Sequence, residues 1–403
     1  MIPPHQPPFG IGRALLSILD RRRPARVEDV EAACAEAYGV PHAVLLPSAR
    51  AGICWAIEAT VGSEGHVLCP AYTCFVVHEA AFRSPAWPQM LDIAPDSFLM
   101  DPAIIRGAAR APYALVLCEI YGHAYDLAAL EAELPVRPAI RVVDMAMTLP
   151  TAASLARLRG NDFGVTSLGA GKCLYAGWGG MGLTRDRALA DEVRKIRSAA
   201  LAPGGLRLSA GRAAVLARAG ACKHMPAGLM TKTLRIEPPK PDPIAPVRPG
   251  PFREWCRTAA LTAEWHLPST RPDRYMAMYN LGRTEAGAER RLQLAARYQR
   301  NLEGVAGVRR PPASPYPLSF YTIRVRPEAR LAVSRGLWKA GIAVTALLEF
   351  LTYLDPQEFP ETWRTASEVI NLPLFEGLSA AQADRISEHV ARCVTVAALF
   401  SPP

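Results

Sequence analysis

The sequence predicts an α/β fold, with a mostly parallel, seven-stranded sheet in a large domain and a smaller C-terminal α/β domain. Between residues 27 and 190, short apolar segments alternate with amphipathic helical patterns, which is typical of a mostly parallel sheet covered on both faces. In addition, 50% of the 403 residues are hydrophobic, which is enough to bury two cores. Ligands of such sheets bind beyond the carboxyl ends of the strands, so functional residues are expected there.

The large sheet is predicted from the first half of the chain. An amphipathic helix over 27–38 precedes the first strand, and further helices are predicted over 51–61 and 76–82. The seven predicted strands are short apolar runs over 42–46, 66–70, 89–93, 114–120, 140–144, 164–168 and 180–184.

The second half predicts a separate set of elements. Residues 200–235 have a helical pattern, and the proline-rich stretch 237–252 can only be a loop or an extended excursion. The elements predicted after it are a long helix over 275–302, a strand over 317–325, a helix over 331–340, an apolar run over 342–347, a strand over 369–374, and a final helix with Ser379 as its N-cap. The predicted organisation is an N-terminal arm (1–26), a large domain (27–235), a proline-rich excursion (236–274), and a long linking helix with a small domain (275–403).

Composition argues against several classes of function. The net charge is +9, but the arginines are scattered apart from 21–23 and form no stripe interleaved with aromatic residues, so a nucleic-acid partner is not expected. The N-terminus lacks the features of a signal peptide, and no apolar run is long enough for a membrane span. The nine cysteines have no framework spacing, and neither CxxC nor HExxH occurs, so reduced thiols, no metal site and a cytoplasmic location are expected.

Two residues near the predicted strand ends are candidates for chemistry. Asp144 follows the apolar run 140–143, and a buried carboxylate there needs a cationic partner such as a pyridinium, although it could equally cap the next helix. Lys172 lies among Gly169, Gly171 and Gly177, where small residues leave space for a cofactor. A lysine for a Schiff base and a carboxylate for a ring nitrogen are what pyridoxal 5′-phosphate (PLP) requires.

Three glycine-containing segments are weighed as phosphate sites. Ser48, Ala49 and Arg50 lie between a strand and a helix, where free amides would suit a phosphate, although an ordinary serine-capped helix start has the same pattern. Residues 169–173 are not a P-loop, because Cys173 follows the lysine. Residues 177–182 precede a strand and do not match GxGxxG, so a dinucleotide site is not expected.

Taken in order, these segments resemble the DegT/StrS-type aminotransferases, which are fold-type-I PLP-dependent enzymes. The closest match is 162–174, DFGVTSLGAGKCL, which is similar to the family's G-D-x-G-x-F-S-F-H-x-x-K-x-L, and 177–180 continues as its G-x-G-G. Weaker matches lie at 48–51 (the SGTA turn), 70–73 (P-x-x-T), 91–98, 120–122 (L-Y-G), 142–146 and 369–378.

The resemblance implies a role for each matching position. Lys172 would form the Schiff base and Asp144 would pair with the pyridinium. Ser167 would bind the phosphate together with the turn at Ser48, Ala49 and Arg50, and Cys74 or Phe75 would pack on the ring. A lysine at 172 argues against the family's sugar dehydratases, which have histidine there. The resemblance also implies a homodimer with a shared active site.

Departures from the family concentrate on the substrate side. Met147 stands where the family has Gln or His, Gly169 replaces a His and Trp178 replaces a Glu, so the pocket is expected to be more apolar. Segment 273–276 barely matches the family's N-Y-R-M, and 200–270 aligns with nothing in it.

The expected activity is amino transfer from an amino-acid donor to a keto-sugar or another biosynthetic keto acceptor. Another PLP reaction, such as elimination, decarboxylation or a carbon–carbon bond step, is the alternative. A non-catalytic regulatory relative is disfavoured, because it would need neither Lys172 nor Asp144.

Overall fold

The structure, a computed structural model, describes residues 1–20, 26–169, 171–234, 236–240, 256, 263–346 and 353–399. Most of the predicted proline-rich excursion, and the end of the apolar run over 342–347, lie outside the described residues.

The large sheet has the seven predicted strands. They are β1 (His42–Leu46), β2 (His66–Pro70), β3 (Trp87–Leu91), β4 (Tyr113–Cys118), β5 (Ile140–Asp144), β6 (Asp162–Ser167) and β7 (Gly180–Thr184). Their order across the sheet is β1-β7-β6-β5-β4-β2-β3. Strand β7 is antiparallel to β1 and β6, and the other pairings are parallel, so the prediction of a mostly parallel sheet is confirmed.

Some strand bounds differ from the prediction for local reasons. Strand β3 ends at Leu91 because the next side chain, Asp92, accepts backbone hydrogen bonds from Glu361 and Thr362, both at 2.9 Å. Strand β4 ends at Cys118, and the chain then turns through Ile120–Gly122.

Helices cover both faces of the large sheet. Those of the first half are α1 (Ile11–Leu19), α2 (Val27–Tyr38), α3 (Ala49–Glu58), α4 (Phe75–Arg83), α5 (Pro102–Ala108), α6 (Leu127–Glu133), α7 (Ala152–Leu155), α8 (Arg187–Ala200), α9 (Leu206–Ala221) and α10 (Ala227–Leu234). Apolar residues of α3, α4 and α8 share one buried cluster with one face of the sheet. Apolar residues of α2, α5, α6 and α9 share another with the opposite face, as expected for strands buried on both sides.

The C-terminal elements surround a second, two-stranded sheet. They are α11 (Ala263–His266), α12 (Arg271–Leu281), α13 (Thr284–Asn301), β8 (Tyr321–Arg324), α14 (Pro327–Lys339), α15 (Pro360–Glu368), β9 (Val369–Leu372) and α16 (Ala380–Leu399). Strands β8 and β9 are antiparallel, and α13, α14 and α16 pack on them in a third apolar cluster. The N-cap prediction is confirmed, because the Ser379 hydroxyl accepts from the Gln382 backbone N–H at 3.1 Å.

Three predicted elements are shorter than expected. The helix predicted over 275–302 is broken between α12 and α13, where Gly282 and Arg283 leave helical geometry. The strand predicted over 317–325 is reduced to β8, because Leu318 bridges to Thr148 instead. The helical pattern over 200–235 is divided between α9 and α10, with a short 3₁₀ turn between them.

Three findings on the described residues concern membrane spans, metal ligands and cysteines. In the described ranges, no helix combines the length and the apolar character that a bilayer span requires. The same ranges contain no cluster of three or more His, Cys, Asp or Glu side chains suited to a metal ion. All nine cysteines are free thiols.

Candidate active site

A cavity of about 330 Å³ lies at the carboxyl ends of β4, β5 and β6, beside the N-termini of α3 and α4. Eight of the nine sequence-predicted residues line it, namely Ser48, Ala49, Arg50, Cys74, Asp144, Met147, Ser167 and Lys172. The ninth, Phe75, does not line it. A larger cavity of about 570 Å³ lies between 96–99, 123–128 and 312–316, but none of the described lysines lines it. The site predicted from the sequence is therefore a single concave site.

Asp144 is a buried carboxylate at the end of β5. Its Oδ1 accepts from the Ala146 backbone N–H at 2.9 Å, and the Cys118 thiol donates to Oδ2 at 3.9 Å. Burial raises the pKa of Asp144 above its usual value, while the Ala146 hydrogen bond and the charge of Lys172 oppose this rise. The residues after Asp144 form a turn and α7 begins only at Ala152, so Asp144 does not cap the next helix. Its carboxylate makes no ion pair with a described residue, which leaves it suited to a cationic ring nitrogen.

Lys172 lies in the loop that joins β6 to β7, and its side chain is half-buried. The loop is closed by two backbone hydrogen bonds, Leu168 N–H to Gly179 at 2.9 Å and Ala176 N–H to Leu168 at 2.9 Å. Gly171, immediately before the lysine, has a φ of +77°, a conformation that favours glycine. The small residues seen in the sequence therefore fold the loop back on itself and leave Lys172 at the cavity.

The N-terminus of α3 forms the anion-binding end of the cavity. Ser48 is its N-cap, and the serine hydroxyl accepts from the Ala51 N–H at 3.2 Å. Ser48 also bridges to Gly179, and a Cβ on Gly180 would lie 2.6 Å from the Ala49 nitrogen. Glycine at 180 thus lets the start of β7 approach the first turn of α3. The first amides of a helix lack intrahelical partners, so this turn, with Ser167 opposite, could hold a phosphate dianion.

Arg50 is held by helix α4. Its Nη1 forms an ion pair with Glu79 at 2.6 Å, and the Glu79 side chain is fully buried. The guanidinium carbon also lies 5.9 Å from the centre of the Phe75 ring. The Arg50 guanidinium is therefore engaged by Glu79. The group of Arg50 that can bind an anion directly is its backbone N–H. Of the two residues proposed for ring contact, Cys74 lines the cavity and Phe75 packs behind Arg50.

Several lining residues were not predicted as site residues. Cys118 follows from the sheet register, which places it opposite Asp144 in the neighbouring strand. Thr73 and Ile120 lie just beyond the carboxyl ends of β2 and β4. Such positions can be found from the sequence, because the apolar runs show where the strands end. Trp178, which its family position already placed in the pocket, lines the cavity, and the Arg212 guanidinium stacks 3.3 Å from the centre of its ring. The Trp178–Arg212 contact joins a loop to α9 and leaves no signal in the sequence.

The residues present fit PLP. They supply an amine, a buried carboxylate that no described cation pairs with, and a helix N-terminus, together with apolar walls from Ile53, Val77 and Met147.

Comparisons with known proteins point to one family. Residues 21–211 and 275–391 match the DegT/DnrJ/EryC1/StrS aminotransferase family. The chain is 26% identical over 346 residues to the erythromycin biosynthesis sensory transduction protein EryC1 of Saccharopolyspora erythraea, covering 81% of this chain and 78% of that protein. It is 29% identical over 171 residues to L-glutamine:2-deoxy-scyllo-inosose aminotransferase of Micromonospora echinospora, covering 41% of this chain and 40% of that enzyme. The fold matches the PLP form of Spr1654 from Streptococcus pneumoniae, named as a sugar aminotransferase, with a TM-score of 0.71, 17% identity, and coverage of 98% and 100%.

Proposed function

Because this chain belongs to the DegT/DnrJ/EryC1/StrS aminotransferase family, whose cofactor is PLP, we propose that it moves the amino group of an amino-acid donor to a keto-sugar or a related biosynthetic ketone. The proposal rests mainly on one observation. Lys172 and the buried Asp144 line the same cavity, beside the N-terminus of α3.

Lys172 has two tasks in this proposal. Its amine would hold the cofactor as a Schiff base, and the same amine, when free, would move a proton at the substrate carbon. The closed loop between Leu168 and Gly179 limits where that amine can lie. Restricting the amine to the cavity favours proton transfer, because a positioned base loses less entropy in the transition state.

Asp144 and the first turn of α3 have binding tasks. Bound PLP supplies a ring that withdraws electrons when its nitrogen is protonated. Asp144 accepts the hydrogen bond from that nitrogen and keeps the proton on it. Ser48, Ser167 and the amides of Ala49 and Arg50 hold the phosphate. Cys118 donates its thiol hydrogen to Asp144 at 3.9 Å and so helps to orient the carboxylate.

The apolar part of the cavity lining supports a ketone that is less polar than a typical sugar. Met147, Ile53 and Val77 line the cavity, and Trp178 is backed by Arg212. These walls offer few hydrogen bonds to hydroxyl groups, so a polyhydroxylated acceptor would lose more solvation than it regains.

We also propose that two copies pair in the cytoplasm. Large apolar side chains are exposed on α1 and at the start of α9, including Leu19 at 71% and Leu206 at 91% of their full exposure. Such surfaces are typical of interfaces, and a second copy is the partner that the family resemblance favours. The free cysteines support a reducing compartment.

The role of Lys172 is tested by trapping the cofactor on the protein. Borohydride reduction in the presence of PLP is expected to leave a covalent adduct on the wild type and on Lys195→Ala, but none on Lys172→Ala. Lys195 is the matched control, because its side chain on α8 is 77% exposed. An adduct that persists in Lys172→Ala would overturn the assignment.

Amino transfer itself is tested with a panel of amino-acid donors. The wild type is expected to convert at least one donor, such as glutamine or glutamate, to its keto acid in a single turnover and to return the amine to an added ketone. A protein that binds PLP through Lys172 but releases ammonia or carbon dioxide from every donor would contradict amino transfer while leaving the cofactor site intact.

A further inference from the structure

A second cavity, here named the side cavity, lies apart from the PLP cavity. It has a volume of about 570 Å³ and is lined by segments 96–99 and 123–128, which follow β3 and β4, by segment 312–316, which precedes β8, and by Arg157 and Arg159. The side cavity is larger than the PLP cavity, and the two have no lining residue in common. Its volume is within the range of small-molecule pockets, so its side chains decide which ligand would fit.

Two pairs of flat side chains line the side cavity. The His123 ring lies 5.0 Å from the buried Phe98 ring, with 32° between their planes. The Arg157 guanidinium carbon lies 5.3 Å from the centre of the Tyr316 ring. Such surfaces favour a planar ligand, because a ring gains contact and electrostatic attraction when it packs on another ring or on a guanidinium.

Arg157 is held in place by three neighbours. Its Nε donates to the Ser154 carbonyl at 2.7 Å, its Nη1 donates to the Tyr125 carbonyl at 3.3 Å, and its Nη2 lies 2.5 Å from the Glu119 carboxylate. All three nitrogens of the guanidinium are thus engaged. The Arg157 guanidinium is therefore a rigid part of the wall, and a ligand would lose little free energy in ordering it.

The charge left over in the side cavity is positive. Asp96 pairs with Arg309 at 2.5 Å, and Asp126 caps α6 by accepting from two backbone N–H groups. Arg159, by contrast, is exposed, and its side chain makes no hydrogen bond or ion pair with a described residue. One free guanidinium matches one carboxylate, which it can bind through two parallel hydrogen bonds.

His123 adds uncharged hydrogen-bonding capacity to the same lining. Burial lowers the pKa of His123 to about 4, and the charge of Arg324 contributes, so the ring is neutral. Its Nε2 is buried and has no hydrogen-bond partner among the described residues. Folded proteins rarely leave such a nitrogen unpaired, so His123 gives an independent indication that this wall takes a ligand.

We propose that the side cavity is a second ligand site, which binds a planar aromatic carboxylate. The ring of the ligand packs on the flat side chains of Tyr316 and His123, and its carboxylate pairs with Arg159. The proposal goes beyond amino transfer and does not depend on it, because the side cavity and the PLP cavity are lined by different residues.

Calorimetric titration of the PLP-bound protein with benzoate tests this proposal. Saturable binding of one benzoate per chain is expected. Benzyl alcohol, which keeps the flat ring, and cyclohexanecarboxylate, which keeps the charge, should each bind more weakly than benzoate.

Two substitutions separate the contributions of charge and ring. Arg159→Gln should weaken benzoate binding about two- to fivefold, the range of an exposed ion pair, and should leave benzyl alcohol unchanged. Tyr316→Leu should weaken both ligands about two- to tenfold, because both lose a stacking partner. Arg187→Gln is the matched control for the charge, because the Arg187 side chain on α8 is 83% exposed and lies outside the lining of the side cavity.

Three outcomes would overturn the proposal. The first is that benzoate shows no saturable binding, and the second is that Arg159→Gln and Tyr316→Leu both bind benzoate as the wild type does. The third is a loss of the Schiff-base absorbance when benzoate is added, which would place benzoate in the PLP cavity. If benzoate binds as expected to a protein that transfers no amino group, the proposed function fails and the side-cavity proposal stands.

Discussion

Replacing Asp144 with asparagine should affect apoprotein stability and cofactor affinity in opposite directions. The carboxylate is buried, makes one backbone hydrogen bond at 2.9 Å and one thiol contact at 3.9 Å, and has a raised pKa. A carboxyl whose pKa is raised on folding disfavours the folded state once it ionises. The resulting loss of stability should begin near the ordinary carboxyl pKa of about 4 and grow until the pH passes the raised value. The asparagine side chain carries no charge, so the apoprotein of the variant should become increasingly more stable than the wild type over this pH range.

The cofactor should reverse this advantage. A hydrogen bond to a charged group contributes about 1.5–3 kcal/mol, so removing the carboxylate should weaken PLP binding by roughly 10- to 150-fold. The variant should still bind PLP through Lys172, but it should lose most of its turnover, because the ring nitrogen no longer keeps its proton.

Two measurements check this prediction. Urea unfolding of the apoprotein at several pH values from about 4 upward gives the stability difference, and titration with PLP gives the affinity. Asp191→Asn is the matched control, because Asp191 is exposed on α8 and its side chain pairs with Arg187 and Arg194 of the same helix. If Asp144→Asn bound PLP as tightly as the wild type and turned over normally, the pairing of Asp144 with the ring nitrogen would be refuted.

Two further predictions concern the α3 end of the site. Gly180→Ala would bring a Cβ to 2.6 Å from the Ala49 nitrogen, so PLP affinity should fall at least about tenfold. Gly211→Ala, in α9 with open space around it, should instead stabilise the protein by up to about 1 kcal/mol in urea unfolding. If Gly180→Ala and Gly211→Ala changed PLP affinity equally, this reasoning would be contradicted. Arg50→Gln should destabilise the protein by about 1–3 kcal/mol, because the buried Glu79 would lose one ion-pair partner and keep Arg83. Adding Glu79→Gln should restore part of the loss, and an additive double variant would argue against the pair.

Local sequence patterns were sufficient to predict the large sheet and most of the candidate site. Alternating apolar and helical segments predicted all seven strands to within a few residues, because burial on both faces requires continuous apolar runs. The glycines around Lys172 predicted a tight loop, since positive φ angles such as that of Gly171 favour glycine. Asp144 stood out because it directly follows such an apolar run.

Predictions were less accurate where distant residues compete for the same backbone. The strand predicted to begin at 317 starts only at Tyr321, because Leu318 bridges to Thr148 of the large-sheet region. Local periodicity cannot reveal such contacts, because the partners lie far away in the chain.

By itself, then, the sequence determined the fold class and a set of candidate residues for PLP binding, because periodicity, strand ends and glycine positions are local properties of the chain. Only the tertiary structure decided how those residues are arranged. It pairs Arg50 with Glu79, places Cys74 rather than Phe75 at the cavity, and brings His5 against Gly171. These outcomes depend on side chains from distant segments that meet only in the tertiary structure, so their energies come from burial and charge pairing between those segments.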